Sequence, residues 1–228
     1  MVSIIVPVYN EERTIYKVIK GLKSLSIQKE IIVVNDGSTD STASILDSYK
    51  GIKVIHMDEN KGKASAIKKG LQYASGKYVV FQDADLEYPV ENIYVLYKSI
   101  ESTQADMVVG VRTISWDKLT DISLGSFIAN KFIRKLTGGY DIFSGQRIIK
   151  TSVLNEICIE SSGFEIETEI FLKLVAHKYR INWVPVRYIP RTRAEGKKIG
   201  LKDFLAILYT YYRLRYNNFS QKPITSHS

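Results

Sequence analysis

The sequence of 228 residues has one cysteine, Cys158, and only three histidines. A single cysteine excludes an intramolecular disulfide and is typical of proteins kept in a reducing compartment. The histidines have no ligand-like spacing with one another or with Cys158, so the sequence predicts no zinc site. At this length the chain can instead bury a substantial hydrophobic core.

The sequence also lacks a long hydrophobic run. The apolar stretch at residues 204–212 is about half of the ~20 residues that a membrane-spanning helix needs. The first residues, "MVSIIVPVYN", are typical of a strand and lack the basic region of a secretory signal. We therefore expect a cytoplasmic protein without a spanning helix.

Positive charge is plentiful but unevenly distributed. The net charge is +8, yet residues 173–228 contain 12 Lys/Arg against 2 Asp/Glu, which is +10 and leaves −2 for the rest. Two interpretations stay open: a polyanionic partner such as nucleic acid, anionic lipid or phosphate, and a solvated basic surface.

Short apolar runs alternate with helical patterns along the chain. This rhythm predicts an α/β fold with a twisted, mostly parallel sheet and helices on both faces. The predicted strands are 3–8, 30–34, 52–56, 78–82, 106–111 and 180–188. The predicted helices are 11–24, 41–49, 63–74, 89–102, 122–136, 165–177 and 201–215. We expect one domain over residues 1–200 and a C-terminal amphipathic helix and tail over residues 201–228.

Polar clusters follow the first four predicted strands: "PVYNEE", "NDGSTD", "ENKGKAS" and "DADLE". Ligands of open parallel sheets bind beyond the carboxyl ends of the strands. Four such clusters would form one continuous rim, which suits a nucleotide. "GKAS" lacks the glycine spacing of a phosphate-binding P-loop, and this disfavours ATP hydrolysis.

Three carboxylates, Asp83, Asp85 and Glu87, alternate directly after the strand predicted at 78–82. They would point the same way if the extended chain continued. Carboxylate oxygens are ligands for Mg²⁺ and Mn²⁺, and Mg²⁺ usually adds substrate phosphates to one or two carboxylates. A solvated turn is the alternative and stays open here, because a lone D-x-D is weak evidence by itself, although the buried strand before the cluster strengthens the case for a metal site.

The ordered set "IIVPVYNEE", "IIVVNDGSTD", "NKGKASAIKKGL" and "VVFQDADLEYP" resembles the nucleotide-sugar domain of family-2 glycosyltransferases, which have the GT-A fold. Later segments are similar to the dolichyl- or polyprenyl-phosphate sugar synthase branch of that family: "VVGVR", "DIFSGQR", "GFEIETEI" and "VPVRYIPRTRAEGKK". The resemblance spans nearly the whole chain.

The resemblance implies a role for each matching residue. Those that would contact the nucleotide are Pro7, Tyr9, Asn10, Glu11, Asp36 and Lys63. Those that would lie at the metal and diphosphate are Asp83, Asp85 and Glu87. Those that would face the donor diphosphate and the acceptor phosphate are Arg112, Arg147, Arg191 and Lys197. Among all of these, the expected catalytic set is Asp85, Arg112, Arg191 and Lys197.

Four positions depart from the family pattern. Asn35 stands where many relatives have aspartate, and Gln146 replaces the usual phenylalanine after Ser144-Gly145. "EGKK" leaves open whether Lys197 or Lys198 is the functional lysine. Glu87 stands where mannose synthases often have glutamine, and this leaves the sugar open.

The reaction implied by the resemblance transfers a hexosyl group, with inversion, from a GDP- or UDP-sugar to dolichyl or polyprenyl phosphate in protein glycosylation. Mg²⁺ or Mn²⁺ would assist. Two segments, 122–136 and 201–215, combine apolar stripes with Lys/Arg, as interfacial helices do, although both stripes could instead pack on the sheet. We expect a peripheral protein on the inner face of the membrane.

Two other functions compete with this one. The first is a family-2 enzyme acting on a hydroxyl of a soluble or glycan acceptor. Such polysaccharide synthases usually show a Q-x-x-R-W motif, which is absent here and so favours the phosphate acceptor. The second is nucleic-acid binding without catalysis, which leaves "DADLE" unexplained and lacks a supporting motif, so we expect no nucleic-acid partner.

Overall fold

A computed structural model describes residues 1–113, 144–163, 165–190, 209, 210 and 213. Within these residues the chain forms seven strands and six helices. The strands are β1 (Val2–Val8), β2 (Lys29–Asn35), β3 (Lys53–His56), β4 (Tyr78–Phe81), β5 (Met107–Thr113), β6 (Arg147–Lys150) and β7 (Ile181–Arg187). The helices are α1 (Ile15–Ser24), α2 (Thr42–Asp47), α3 (Lys63–Leu71), α4 (Asn92–Thr103), α5 (Thr151–Glu156) and α6 (Ile166–Ala176).

The strands form one sheet in the order β3-β2-β1-β4-β6-β5-β7. All neighbours pair in parallel except β6, which runs antiparallel to both β4 and β5. The predicted mostly parallel sheet is therefore confirmed. The carboxyl ends of β1 to β5 share one edge, and the antiparallel direction of β6 brings its first residue, Arg147, to that same edge.

Side chains that alternate along the strands build a core on each face of the sheet. Ile4 of β1 packs with α1 and α4 on one face, and Ile5 packs with α3, α5 and α6 on the other. This alternation follows from the period-two geometry of a strand. The predicted placement of helices on both faces is confirmed.

Helix α1 begins four residues later than the predicted start at residue 11. The preceding segment is bonded to the loop after β2 instead: Glu11 N donates to Thr42 Oγ1 at 3.0 Å, and Glu12 N donates to Asp40 Oδ2 at 3.2 Å. These bonds anchor residues 11 and 12 beside the start of α2, and helix α1 begins only after this anchored segment. The strand β6 and the helix α5 were not predicted.

The helix predicted at 122–136 lies outside the described residues, as does most of the one predicted at 201–215. The domain boundary at residue 200 therefore stays a prediction. Among the helices that the structure describes, none is both long enough and apolar enough to cross a membrane.

Candidate active site at the carboxyl edge of the sheet

Asp36 follows β2 at the carboxyl edge and is almost fully buried. Its carboxylate accepts hydrogen bonds from the amide groups of Lys61 at 2.8 Å and Gly62 at 2.9 Å. Gly62 has φ +89°, and a Cβ there would lie 2.9 Å from the carbonyl oxygen of Ser162. Only glycine fits this close approach without strain. Asp36 and Gly62 together fix the start of α3 at the sheet edge.

Lys63, the first residue of α3, lies between two carboxylates. Its Nζ is 2.7 Å from Asp83 Oδ1 and 2.6 Å from Glu167 Oε1, and the side chains of Lys63 and Glu167 are only 12% and 7% exposed. Burial lowers the pKa of Lys63, but the charges of Asp83 and Glu167 outweigh it and hold that pKa above its usual value. The site thus contains a permanent cation beside Asp83.

The carboxylate turn, residues 83–88, does not continue β4 as an extended chain. The strand ends at Phe81, Leu86 has a left-handed φ of 65°, and Asp85 Oδ1 accepts a hydrogen bond from Glu87 N at 3.0 Å. The condition for alignment by strand alternation, an extended chain through Glu87, is therefore not met, because the chain turns at Asp85 and Leu86. Within the described residues no three Asp, Glu, His or Cys side chains converge as a metal-binding group.

Glu87 is linked to β5 and β7 through Tyr188. The Tyr188 hydroxyl donates to Glu87 Oε2 at 2.9 Å, and the Arg112 guanidinium lies 5.3 Å from the centre of the Tyr188 ring. Burial and the nearby charge of Glu87 raise the pKa of Tyr188, so its hydroxyl stays protonated and able to donate. Arg112 is thereby brought to the same side of the sheet as the carboxylate turn.

Arg147 is fully buried at the start of β6. Its guanidinium donates to the carbonyl oxygens of Ser144 and Glu167, which joins β6 to the first turn of α6. This position gives Arg147 a structural role beneath the site. A direct contact with a diphosphate stays a prediction.

The remaining predicted residues divide into two groups. Those at the end of β1 lie beside Asp36, whose amide donates to the carbonyl oxygen of Val8 at 2.9 Å; they are Pro7, Tyr9, Asn10 and Glu11. The others, Arg191, Lys197 and Lys198, lie outside the described residues.

Two residues of this edge, Glu167 and Tyr188, were missed by the sequence predictions. The only signal for Glu167 was its place in the segment "GFEIETEI", which resembles the polyprenyl-phosphate branch, because a carboxylate in the first turn of a helix is ordinary. Its neighbour Glu169 has a structural role: the buried carboxylate accepts from the amides of Glu160 at 2.8 Å and Ser161 at 2.7 Å and pairs with Lys173 at 2.7 Å.

The fold is an α/β fold whose mostly parallel sheet gathers charged groups at its carboxyl edge, which is where open sheets of this kind usually bind ligands. Residues 3–158 match the model of glycosyl transferase family 2, and the chain belongs to that family.

Two curated relatives and one solved structure are similar to the chain. It is 31% identical over 227 residues to a dolichol-phosphate mannosyltransferase of Pyrococcus furiosus, a match that covers 93% of this chain and 63% of that protein. It is 26% identical over 166 residues to a dodecaprenyl-phosphate galacturonate synthase of Rhizobium johnstonii, a match that covers 68% of this chain and 49% of that protein. The chain therefore spans less than two thirds of each of these relatives.

The solved structure is glucosyl-3-phosphoglycerate synthase from Mycobacterium tuberculosis in complex with Mn²⁺, uridine diphosphate and phosphoglyceric acid. It matches with a TM-score of 0.70 and 21% identity, covering 94% of this chain and 78% of that one. The likeness confirms the predicted GT-A fold.

Proposed function

We propose that the protein transfers a hexosyl group from a nucleoside-diphosphate sugar to dolichyl or polyprenyl phosphate, with inversion and with a divalent metal. The observation that carries the proposal is the charged cluster at the carboxyl edge, in which Lys63 and Glu167 meet Asp83, the first residue of the carboxylate turn. Two named relatives act on lipid phosphates of this kind. The protein would work as a peripheral enzyme on the inner face of the membrane.

The donor nucleotide would bind along the ends of β1 and β2, where Asp36 lies. Tyr9 and Asn10 would contact the base or ribose, and Lys63 would face the phosphates. The solved relative holds uridine diphosphate, whereas the sugars of the two curated relatives differ, so GDP- and UDP-sugars are both candidates.

Asp83 and Asp85 would hold Mg²⁺ or Mn²⁺ together with the donor diphosphate. Their oxygen atoms suit hard cations, and Mg²⁺ needs only one or two carboxylates when phosphates complete its shell. Such an ion would neutralise the charge that develops on the leaving diphosphate. Glu87 would join this set with its bond to Tyr188 kept, because a carboxylate that binds a metal still accepts hydrogen bonds.

The acceptor phosphate would enter from the side of Arg112. One of its oxygens would form a bond to the anomeric carbon as the bond to the diphosphate breaks, and the electron pair would leave on the diphosphate oxygen. Attack from the opposite face inverts the anomeric configuration. Because a phosphate is already ionised near neutral pH, no strong general base is required, and Arg112 would orient it and offset its charge.

The test is a matrix of donors and acceptors. GDP- and UDP-sugars with Mn²⁺ or Mg²⁺ are combined with polyprenyl phosphate, phosphoglyceric acid or a sugar hydroxyl acceptor. We expect a lipid-linked product of inverted configuration that disappears with a chelator. Product from the hydroxyl acceptor or phosphoglyceric acid, with none from polyprenyl phosphate, would support the alternative family-2 activity and contradict the proposal.

A further inference from the structure

Three buried amide side chains lie between the carboxylate turn and the end of β7. Gln82 follows β4, Asn92 begins α4, and Gln146 precedes β6; they are 0%, 5% and 1% exposed. A buried amide is costly unless it is hydrogen-bonded. The three residues come from separate elements, so their contacts tie those elements together.

The amides bond to one another in a fixed direction. Asn92 Nδ2 donates to Gln146 Oε1 at 2.7 Å, and Gln146 Nε2 donates to Gln82 Oε1 at 2.8 Å. We call these three residues the amide relay. Each side-chain oxygen accepts and each side-chain nitrogen donates. Rotating one amide group by a half turn would exchange its oxygen and nitrogen and break the hydrogen bonds on both of its sides.

One end of the relay closes the carboxylate turn. Gln82 Nε2 donates to the carbonyl oxygen of Asp83 at 3.1 Å and to that of Tyr88 at 3.0 Å. These carbonyl groups belong to the first and last residues of the turn. A single side chain therefore fixes the separation of the two ends between which Asp85 and Glu87 lie.

The other end holds the last residue of β7. Asn92 Nδ2 donates to the carbonyl oxygen of Arg187 at 2.8 Å, and Arg187 N donates to Asn92 Oδ1 at 3.2 Å. The next residue, Tyr188, donates to Glu87, and Ile189 N donates to the Glu87 carbonyl oxygen at 2.8 Å. The contacts thus form a closed ring from the carboxylate turn through the relay to β7 and back.

We propose that the amide relay is a positioning device that sets the carboxylate turn relative to Tyr188 and Arg112. Its catalytic consequence rests on the proposed function. Gln146 is the decisive member, because it bonds to both of the other amides and stands where the resembled branch usually has phenylalanine. A phenylalanine in that place could form neither bond.

The test variant is Gln146→Met, which keeps a similar volume and removes both bonds. Two readouts are used: hydrogen–deuterium exchange of peptides covering residues 83–88 and 186–189, and the Mn²⁺ concentration required for UDP or GDP binding. We expect faster exchange in both peptides, with β1 and β2 unchanged. We also expect the Mn²⁺ requirement to rise on the order of 10-fold, as when an outer-shell partner is lost.

The matched control is Ser3→Ala. Ser3 is fully buried in β1, and its Oγ accepts from Gly76 N at 2.8 Å near the opposite edge of the sheet. This variant loses that bond and the one that Ser3 Oγ donates to Glu30 Oε1, without touching the relay. We expect it to lower thermal stability while exchange at residues 83–88 and the Mn²⁺ requirement stay as in the wild type. Gln82→Met replaces Gln146→Met if the latter does not fold.

If Gln146→Met behaves like Ser3→Ala in either readout, the relay has only a structural role and the proposal is overturned. The proposal is also overturned if nucleotide binding by the wild type does not respond to Mn²⁺. Neither readout involves the acceptor. A wild type that binds nucleotide with Mn²⁺ but makes no lipid-linked sugar would therefore contradict the proposed function and leave the positioning role testable.

Discussion

Asp85 shapes the carboxylate turn and is also expected to bind the metal, and one substitution separates these roles. In Asp85→Asn the side-chain oxygen can still accept from Glu87 N, a bond of 3.0 Å in the wild type, so the turn should survive. A neutral amide is a poor ligand for a hard cation. We expect transfer to fall by about 100-fold or more, as when a group stabilising transition-state charge is removed, with little change in melting temperature.

The measurement is steady-state transfer over a range of Mn²⁺ concentrations, alongside thermal unfolding. Asp47→Asn is the control, since Asp47 is 67% exposed, pairs with His56 and lies away from the carboxylate turn. Near-normal turnover of Asp85→Asn at saturating Mn²⁺ would remove Asp85 from the metal site.

Lys63 is expected to matter for stability as well as for the donor. Lys63→Met would leave the Asp83 and Glu167 carboxylates close together without their shared cation. Breaking a buried pair in this way costs about 3–5 kcal/mol, and we expect a loss of that order in the free energy of unfolding at pH 7. Adding Glu167→Gln to Lys63→Met should restore part of the lost free energy of unfolding, because one of the two like charges is removed.

Urea unfolding checks this prediction. Lys61→Met is the control: Lys61 is 56% exposed and pairs with Glu59 on the surface, so its loss should cost about 1 kcal/mol or less. Equal losses for Lys63→Met and Lys61→Met would show that the buried cluster contributes no more than a surface pair.

At the same scale, the sequence predicted residues whose position follows from the end of a strand. Asp36 and Asp83 each follow an apolar run by one intervening residue, and a parallel sheet brings such residues to one edge. Glu167 was missed because its link to Lys63 joins segments far apart in the chain. The burial of Arg147 was also not foreseen, since its carbonyl partners come from the folded backbone and leave no mark in a sequence pattern.

Among the elements, the strands rich in valine and isoleucine were predicted to within a few residues. β6 was missed because "RIIK" is short and begins with a charged residue, so it offers neither a long apolar run nor a clear alternation. Its antiparallel direction likewise depends on pairing with β4 and β5, which no local pattern encodes. The carboxylate turn was placed correctly along the chain, but its curl depends on the bond between Asp85 and Glu87.

Helix α6 is buried almost all round and anchors the preceding loop through Glu169. Burial raises the pKa of Glu169, but hydrogen bonds from Lys173, Ser161 and the Glu160 amide outweigh it and lower that pKa below its ordinary value of 4.5. A lowered carboxylate pKa stabilises the fold above the unfolded value and loses this contribution as the pH falls through the folded value. The stability supplied by Glu169 should therefore be present at pH 7 and fade below about pH 4.5.

We predict that Glu169→Gln lowers the free energy of unfolding at pH 7 by about 1–3 kcal/mol, because Lys173 and two amides lose a charged acceptor. The difference from the wild type should narrow on acidification. Urea unfolding at several pH values measures it, with the exposed Glu59→Gln as control. A loss that is the same at pH 7 and pH 3.5 would mean that the charge of Glu169 does not contribute.

Across the whole molecule, charge is divided between the two parts of the sequence. The residues before 173 sum to −2 and supply the acidic edge of the sheet, whereas residues 173–228 sum to +10. This asymmetry is visible without a structure, since counting charges needs no fold. Arg191 and Lys197 lie outside the described residues, so their catalytic roles remain predictions.

The last prediction concerns the membrane. We expect residues 201–228, together with the lysines just before them, to bind anionic bilayers, because the sequence there combines an apolar stripe with Lys/Arg. Each Lys/Arg near an anionic surface contributes about 1 kcal/mol, and salt weakens this attraction. Liposome co-sedimentation at low and high salt compares the full chain with one that ends at residue 200, and donor affinity is measured in parallel.

A variant in which three basic residues are replaced separates the electrostatic contribution to membrane binding from the apolar one. Replacing Lys202, Arg215 and Lys222 with Gln should reduce the salt-sensitive part of binding and keep the apolar part, whereas truncation should reduce both parts. Transfer to long-chain polyprenyl phosphate should decline with liposome binding, while donor affinity stays unchanged because the ends of β1 and β2 supply it. Equal sedimentation of the full and truncated chains would show instead that this segment packs on the sheet and that the lipid is reached from another surface.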